Sequence, residues 1–274
     1  MPYRMMQVGL GDFGRRWLRI VHAHEKWQYA ALATRNEQVR KRCGLEVGLG
    51  PGALFGSVDE AVGNGLEADA ALVTTPHFRH RHDVVMLLER GMHVLVEKPL
   101  AGTWEDCLAI RNSARHASGI LMVGENYRFG EGARIARDLV QSGAIGTPEF
   151  LTMDYFVGHE FPDGDWRNDY TYPLLIENST HQFDLVRYIT AAEPESVYCN
   201  ALGSARTPHW PRPSVSAQFS MSNGLHFQYS ASWAYPELRT PWEGVWRLYG
   251  SGGALSWTQD RIEVHRGATV RTID

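Results

Sequence analysis

The segment GLGDFG, residues 9–14, decides the fold of the first half of the chain. It follows the apolar run YRMMQV and opens the run RRWLRIVHAH, so a strand, a glycine turn and a helix are predicted in succession. Its spacing, G-x-G-x-x-G, is typical of a βαβ unit that binds the pyrophosphate of a dinucleotide. Gly9 would permit the tight turn, Gly11 a close approach of the backbone, and Gly14 close helix packing. An ordinary strand-to-helix turn is the alternative.

The same alternation continues to about residue 125. Apolar strands are predicted at YRMMQVGL, YAALAT, ADAALVTTP, HVLVE and ILMVGENY. Helices are predicted between them, among them NEQVRKRCG, closed by Gly44, and TWEDCLAIRNSARHASG, with Thr103 as N-cap. Residues 44–55 are expected to form a loop. Apolar strands separated by helices predict a doubly wound parallel sheet with both faces covered, as in a Rossmann domain.

A different pattern begins near residue 126. One helix, EGARIARDLVQSG, is followed by the strand EFLTMDYFVG and by a second helix near residues 173–190. Runs rich in aromatic and β-branched residues then alternate with turn signals such as Asn223-Gly224, which indicates a large, mostly antiparallel open sheet. The sequence therefore predicts two domains, a nucleotide-binding domain at 1–125 and an α+β domain at 126–274.

The composition excludes several classes of protein. A net charge of −4 with both signs interspersed argues against binding to nucleic acid or to a membrane surface. No apolar run reaches the roughly 18 residues of a membrane span, and no signal peptide is expected before the glycine motif. The three cysteines lie far apart and in no metal-binding spacing, which favours the cytoplasm and no metal site.

The residues after the second strand bear on cofactor choice. An acidic residue there would bind the ribose 2′-hydroxyl of NAD, but the chain has Thr34, Arg35 and Asn36. Arg35 can pair with a 2′-phosphate, which favours NADP over NAD. The alternative is that Arg35 is a solvated residue at a helix start and Glu37 supplies the acidic group.

A lysine and a proline, Lys98 and Pro99, follow the strand HVLVE. Ligands of a doubly wound sheet bind at the carboxyl ends of its strands, so Lys98 is expected on the edge that carries GLGDFG. A lysine partly withdrawn from water can exchange a proton or polarise a carbinol oxygen. The alternative is an ordinary surface lysine.

The helix predicted near residues 173–190 has one polar face. Its members are spaced i, i+4, i+7 and i+11: Glu177, His181, Asp184 and Tyr188. Leu175, Phe183 and Val186 fall on the opposite face and are expected to pack into the sheet. Acid and imidazole groups on one face suit an active-site wall, although a solvated amphipathic face is the alternative.

Further polar candidates are less specific. Arg128 follows the last strand of the first domain and is either a substrate contact or a hinge residue. Trp166 could stack on a sugar ring or serve as a packing anchor. The histidines of HFRHRH, His77 to His82, fit no familiar zinc spacing and are expected to form a solvated helix start.

Four motifs together resemble the Gfo/Idh/MocA oxidoreductases, the glucose–fructose oxidoreductase and inositol dehydrogenase group. They are GLGDFG, VTTPHFRH with its T-P-x-x-x-H pattern, VEKPLA with the E-K-P motif, and ENSTHQFDLVRYI, which resembles a D-x-x-x-H-x-x-D helix. Two departures are present: Glu177 replaces the usual aspartate, and TYPLLIENST replaces a glycine-rich lead-in.

The resemblance implies an NAD(P)-dependent oxidoreductase that transfers hydride between nicotinamide and a sugar, polyol or related carbinol. Catalytic roles are implied for Lys98 and His181, with Glu177 orienting the pair. Cofactor-binding roles are implied for Gly9, Leu10, Gly11, Asp12, Phe13, Gly14, Thr34, Arg35, Thr75, Pro76, His80 and Glu97. Substrate-binding roles are implied for Lys98, Arg128, Trp166, Glu177, His181 and Asp184. The alternative is a non-catalytic regulator of the same fold that senses a nucleotide or a sugar.

Aromatic residues are dense in the C-terminal sheet: Phe219, Phe227, Tyr229, Trp233, Tyr235, Trp242, Trp246 and Tyr249. In LHFQYSASWAY, the residues Phe227, Tyr229, Trp233 and Tyr235 share one face of the strand. That face is either an oligomer interface or the domain's own core. The resemblance favours the interface and a homo-oligomer, a dimer or a tetramer.

Overall fold

The computed structural model describes residues 1–273. The chain forms two compact units: the first spans residues 1–124, and the second begins at Glu125. None of the helices in residues 1–273 combines the length and apolar character that a bilayer crossing requires.

The first unit alternates strands and helices. Its strands are β1 (Tyr3–Val8), β2 (Trp27–Ala33), β3 (Leu54–Phe55), β4 (Ala70–Val73), β5 (His93–Val96) and β6 (Leu121–Val123). Its helices are α1 (Asp12–His22), α2 (Glu37–Glu46), α3 (Val58–Gly63), α4 (His77–Glu89) and α5 (Trp104–His116). The N-cap predicted for α5 is confirmed, because the Thr103 side chain accepts a hydrogen bond from the Asp106 amide.

The six strands form one parallel sheet in the order β3-β2-β1-β4-β5-β6. Buried apolar clusters lie around both faces, one including Val8, Val73 and Val96 and the other Leu18 and Leu72. The predicted doubly wound sheet is therefore confirmed. Strand order reverses between β1 and β4, and the carboxyl ends at such a switch point are where ligands bind in this class of fold.

Two local predictions in this unit were wrong. Helix α2 does not end at Gly44 but continues to Glu46, and Leu54 side-chain atoms lie within 2.8 Å of the position of a Cβ at Gly44. Residues 44–55 are also not a single loop, because they include the end of α2, a 3₁₀ turn at Pro51–Ala53 and strand β3. Two residues suffice for β3, which pairs with β2 at the edge of the sheet.

Within its described residues, 125–273, the second unit holds three α-helices and one sheet. The helices are α6 (Glu131–Gln141), α7 (Pro173–Glu177) and α8 (Ser179–Thr190). The strands are β7 (Pro148–Phe156), β8 (Pro194–Leu202), β9 (Ser214–Met221), β10 (His226–Ser232), β11 (Val245–Gly250), β12 (Gly253–Thr258), β13 (Arg261–Arg266) and β14 (Thr269–Ile273). Their order is β14-β13-β12-β11-β7-β10-β9-β8, and only β7 and β10 pair in parallel. The mostly antiparallel sheet is confirmed, with β14 as a strand that the sequence analysis did not identify.

The predicted helix at residues 173–190 is broken. Asn178 has φ −125° and ψ −38°, which ends α7 after Glu177 and starts α8 at Ser179. Asn178, Ser179 and Thr180 have short polar side chains that compete for backbone hydrogen bonds, so a continuous helix is not favoured here. The i, i+4 relation between Glu177 and His181 is therefore interrupted. Val186 is buried, and Leu175 and Phe183 pack against the core as predicted.

The aromatic series of β10 forms the core of the second unit. Phe227, Tyr229 and Trp233 are at most 3% exposed, as is Trp246 in β11. These residues therefore cannot form an oligomer interface, and the core alternative applies to them. Tyr235, Trp242 and Tyr249 remain 38–47% exposed.

Candidate active site

The glycine loop forms an open cradle at the start of α1. Gly9 has φ +95°, and a Cβ there would lie 2.6 Å from the Thr74 carbonyl carbon. A Cβ at Gly14 would lie 2.5 Å from the Gly9 oxygen. At Gly11, by contrast, no described atom outside its chain neighbours lies within 4 Å of that position, and no described side chain caps the helix. Space beside free N–H groups at a helix N-terminus fits the pyrophosphate of a dinucleotide.

A buried polar network that the sequence analysis missed holds this loop. The Gln7 side chain donates to the carbonyl oxygens of Gly9 (3.1 Å) and Gly14 (2.7 Å), and Tyr29 donates to Gln7 (2.7 Å). Thr74 Oγ1 also donates to Gly9 O, at 2.7 Å. Gln7 is fully buried in an apolar strand. A glutamine in such a strand could have been recognised from the sequence as a structural residue, because a buried side-chain amide needs hydrogen-bond partners.

The other residues of the loop face in different directions. The Leu10 side chain is 2% exposed and packs in the core, so only its backbone can face a cofactor. Asp12 is exposed and pairs with Arg15. Phe13 is 49% exposed, with the Arg16 guanidinium 6.0 Å from its ring centroid. Of the three, only Phe13 presents an exposed apolar side chain beside the cradle.

At the end of β2, Arg35 is exposed and Thr34 is half-buried. Arg40 Nη1 donates to the Thr34 carbonyl at 2.6 Å, so a second guanidinium lies in this turn. Asn36 caps α2 by accepting from the Val39 amide at 3.0 Å. Glu37 is the acidic group that would bind the ribose in the alternative interpretation. It pairs with Lys41 at 2.6 Å, so a cation already neutralises its carboxylate.

The E-K-P motif follows β5, and its acid is held in place. Glu97 is 9% exposed, and its Oε1 accepts from Trp17 Nε1 at 2.7 Å while its Oε2 accepts from the Lys98 amide at 3.1 Å. Trp17 belongs to α1, so this contact ties the glycine-loop helix to the segment that carries the lysine. Lys98 is half-buried at the carboxyl edge of the sheet.

His80, a predicted cofactor-binding residue, is buried between two backbone segments. It is 1% exposed; Nε2 lies 2.7 Å from the Thr75 oxygen and Nδ1 lies 3.0 Å from the Pro99 oxygen. Burial lowers its pKa. The ring therefore joins the segments after β4 and β5, rather than presenting a free nitrogen to a ligand.

The start of α4 is also not solvated as expected. His77 is 7% exposed, and burial lowers its pKa to about 4, with smaller contributions from His80 and Lys98. Thr75 donates its hydroxyl to the buried Asp83 at 2.8 Å, and Pro76 occupies the N-cap position. His82 alone of the three histidines is largely exposed, and it pairs with Asp59 at 3.0 Å. No set of three metal-ligating side chains occurs within residues 1–273.

In the second unit, His181 lies in the first turn of α8 and is 4% exposed. Its Nδ1 is 2.6 Å from Glu125 Oε2, and the Tyr127 ring stacks on the imidazole at a centroid distance of 3.9 Å. Glu177 was predicted to orient His181, but the carboxylate that contacts the His181 ring belongs to Glu125. The sequence did offer one sign of this role, because Glu125 is an acidic residue at the end of the last apolar strand of the first domain.

Glu177 lies among other groups, at the end of α7. Burial raises the pKa of Tyr170, and the nearby Glu177 carboxylate raises it further. Tyr170 contacts the Trp166 ring edge-on at 5.4 Å between centroids. Arg167 forms a bidentate pair with Asp165, at 2.9 and 2.8 Å, and lies over the Phe161 ring. Trp166 therefore belongs to a packed group beside the start of α7.

Arg128 and Asp184 form a bidentate ion pair with each other. Arg128 Nε donates to Asp184 Oδ2 at 2.8 Å, and the second guanidinium nitrogen donates to Oδ1. The guanidinium also lies 5.2 Å from the Tyr188 ring centroid. Both residues are predicted substrate contacts, and in the structure they form one ion pair.

Two family models match the chain. "Oxidoreductase family, NAD-binding Rossmann fold" matches residues 3–125, and "GFO/IDH/MocA C-terminal domain" matches residues 133–256. Together they cover most of the chain and account for both units.

Curated relatives and a solved structure agree with these matches. The chain is 26% identical to protein y4oX of Sinorhizobium fredii over 97% of its length and 76% of the relative's. It is 30% identical to 1,5-anhydro-D-fructose reductase of Ensifer adhaerens over 90% of its length and 73% of the relative's. It spans about half the length of several other curated relatives.

An oxidoreductase of Agrobacterium radiobacter, solved with NAD+, L-tartaric acid and magnesium, has a TM-score of 0.89 at 19% identity. That likeness covers the whole chain and 80% of the solved one, and it shows the fold. The chain therefore belongs to the Gfo/Idh/MocA family of oxidoreductases.

Proposed function

We propose that the protein is an NAD(P)-dependent oxidoreductase that acts on a hydroxyl-bearing carbon of a sugar, polyol or related carbinol. The observation that carries this proposal is the open cradle at Gly11 on the same carboxyl edge of one parallel sheet as Lys98. The similarity to 1,5-anhydro-D-fructose reductase supports a sugar-like substrate. Residues 1–125 bind the cofactor in this proposal, and residues 126–274 bind substrate and form the oligomer.

The chain's own residues have distinct roles in oxidation of the alcohol. Gly9, Gly11 and Gly14 would hold the pyrophosphate of the cofactor, and its nicotinamide would supply the hydride acceptor. The substrate carbon loses its hydrogen with the bonding electron pair, and the hydroxyl proton passes to Lys98 or His181 as the C=O bond forms. The cationic form of Lys98 can stabilise negative charge on the reacting oxygen, and no metal is required if the lysine supplies this charge.

The remaining candidate substrate contacts are Glu177, Trp166 and the Arg128–Asp184 pair. Glu177 acts near the substrate as the counterpart of the family's aspartate, while Trp166 offers a ring for stacking. Arg128 and Asp184 act as one bidentate pair that stiffens the wall beside α8. All three cysteines are free thiols, which favours a reducing compartment such as the cytoplasm.

A non-catalytic sensor of nucleotides or sugars is the second candidate, because a fold does not fix a function. Lys98 and His181 favour the enzyme, since a sensor needs neither a proton acceptor nor a lysine at the strand end. Turnover of NADP or NAD on a panel of sugars and inositols distinguishes the two. A sensor would bind cofactor or sugar without net oxidation.

We expect NADP to bind more tightly than NAD, because Arg35 can pair with the 2′-phosphate and Arg40 adds charge to the same turn. Charge-assisted hydrogen bonds contribute about 1.5–3 kcal/mol, so the ratio of dissociation constants should be about tenfold or more. Titration calorimetry with both cofactors measures it. Arg35→Ala should weaken NADP and leave NAD unchanged, whereas Arg42→Ala, an exposed arginine in α2, is the control. Equal affinities, or tighter NAD, would refute this preference.

We expect a homo-oligomer formed through the open face of the second unit's sheet. Residues on this face are half-buried or exposed and mix apolar with polar groups: Phe150, Thr152, Gln218, Gln228, Arg247 and Tyr249. A broad sheet face can supply the roughly 800 Å² per partner of a standard interface. Light scattering should give a multiple of 30.9 kDa, and Tyr249→Lys should lower it. Leu45→Ala, at an exposed site in α2, is the control; a monomeric mass for the parent protein contradicts the proposal.

A further inference from the structure

The carboxylate of Glu125 meets one edge of the His181 ring. Glu125 lies just before the 3₁₀ turn Asn126–Phe129, and its side chain is 16% exposed. Its Oε2 lies 2.6 Å from His181 Nδ1, and the His181 side chain is only 5% exposed. The two atoms do not meet in hydrogen-bond geometry, so the contact is a close ion-pair approach, in which a carboxylate oxygen attracts an N–H group and repels a lone pair. The contact therefore favours a ring that carries its proton on Nδ1.

The flat face of the same ring is fixed by Tyr127. The two rings are nearly parallel, at 4°, with centroids 3.9 Å apart. Tyr127 is itself held by Trp242, whose indole N–H donates to the phenol oxygen. Burial raises the pKa of Tyr127 to about 12, so its ring stays neutral near neutral pH. Tilting the imidazole out of its plane would break the stack, and a half-turn about its Cβ–Cγ bond would break the edge contact.

The backbone under His181 is anchored as well. The His181 amide donates to the Asn178 oxygen at 3.0 Å, and the Ser179 hydroxyl lies 2.8 Å from the Tyr229 hydroxyl in the core. These contacts fix the first turn of α8, so the position of Nδ1 relative to Glu125 follows from the fold.

We propose that Glu125 is a positioning residue that holds His181 as the Nδ1–H tautomer, which leaves the lone pair of Nε2 as the proton acceptor. The catalytic role of His181 in this inference rests on the proposed function. The inference adds that Nε2 is the atom that accepts the hydroxyl proton of the substrate. The hydroxyl proton moves to Nε2, the ring becomes an imidazolium, and the Glu125 carboxylate 2.6 Å from Nδ1 stabilises its positive charge. Deprotonation by solvent restores the neutral ring. Tyr127 keeps the ring plane fixed throughout.

The tautomer can be measured without turnover. Spectra of the full-length protein labelled with ¹⁵N-histidine, at a pH where the rings are neutral, distinguish protonated from unprotonated ring nitrogens, and His181→Ala identifies the signal. We expect Nδ1–H in the parent protein and in Glu125→Gln, whose amide oxygen can still accept. In Glu125→Ala the signal should move to Nε2–H or to a mixture, while Glu131→Ala, at an exposed glutamate in α6, should match the parent.

Kinetics provides the second readout. Glu125→Ala should lower kcat at least about tenfold, a part of the 10²–10⁴ that a general acid–base group contributes, with KM changed little and partial recovery in Glu125→Gln. If Glu125→Ala does not fold, Glu125→Met fills the same space without an acceptor and replaces it in both measurements. An Nε2–H ring in the parent, or an unchanged tautomer in the variant, overturns the inference. An altered tautomer without turnover on any substrate overturns the proposed function alone.

Discussion

Replacement of Lys98 or His181 by alanine is expected to lower kcat by at least about a hundredfold, while the dissociation constant of the cofactor stays close to that of the parent protein. A positioned general acid or base contributes about 10²–10⁴ to a rate, and each substitution removes one candidate for that role. The glycine cradle lies in other residues, so cofactor binding should survive. Steady-state kinetics and calorimetric titration on the same preparations test both parts.

Matched controls separate the loss of chemistry from a loss of charge. Lys26→Ala and His116→Ala remove exposed residues of the same types from the first unit and should leave kcat unchanged. If Lys98→Ala and His181→Ala both retain near-normal turnover, the catalytic assignment is wrong. If only one of them retains it, the other residue is the principal proton acceptor.

Alanine at Gly9 and alanine at Gly11 are expected to fail in different ways. Gly9 has a left-handed backbone, which disfavours a side chain, and a Cβ there would lie 2.6 Å from the Thr74 carbonyl carbon. Gly9→Ala should therefore lower the free energy of unfolding by about 2 kcal/mol or more. At Gly11 the backbone has φ −65°, and the space around a Cβ is open among the described residues. Gly11→Ala should therefore change stability by less than about 1 kcal/mol.

The substitution at Gly11 is expected to affect cofactor binding more than stability. A methyl group at Gly11 occupies the space that the pyrophosphate needs, so the dissociation constant should rise at least about tenfold, or ~1.4 kcal/mol. Denaturant unfolding and cofactor titration measure the two quantities, with Gly63→Ala, at another site where a Cβ meets no described atom, as the control. A Gly11→Ala protein that binds cofactor normally would show that the cradle is only a strand-to-helix turn.

The fold was predictable where the sequence carries periodicity and turn chemistry. GLGDFG after an apolar strand predicted the strand, turn and helix that open the parallel sheet, and Thr103 predicted the start of α5. The errors lie where tertiary contacts decide: Gly44 does not end α2 but lies within it, where its missing side chain leaves room for Leu54. The aromatic series of β10 could not be assigned to core or interface, because a period of two gives the face of a strand and not what covers it.

The candidate site was predictable for residues within motifs and not for their partners. Lys98 and His181 stand in recognisable local patterns. Glu125, Gln7 and Trp17 act across sequence distances of 56, 7 and 80 residues, to His181, Gly14 and Glu97 respectively. No local spacing encodes such contacts. His80, whose motif position predicts a cofactor contact, likewise has partners that its motif does not encode, because its ring bridges two backbone segments.

Hydride transfer itself is the most direct test of the central claim. The purified protein, supplied with NADP or NAD and a panel of sugars and inositols deuterated at their carbinol carbons, is followed by the absorbance of reduced nicotinamide and by mass spectrometry of the cofactor. We expect at least one panel member to yield reduced cofactor that carries a single deuterium, with the rate falling at least about a hundredfold in His181→Ala. Cofactor that binds to the protein but gains no deuterium from any member of the panel would contradict the account and favour the sensor.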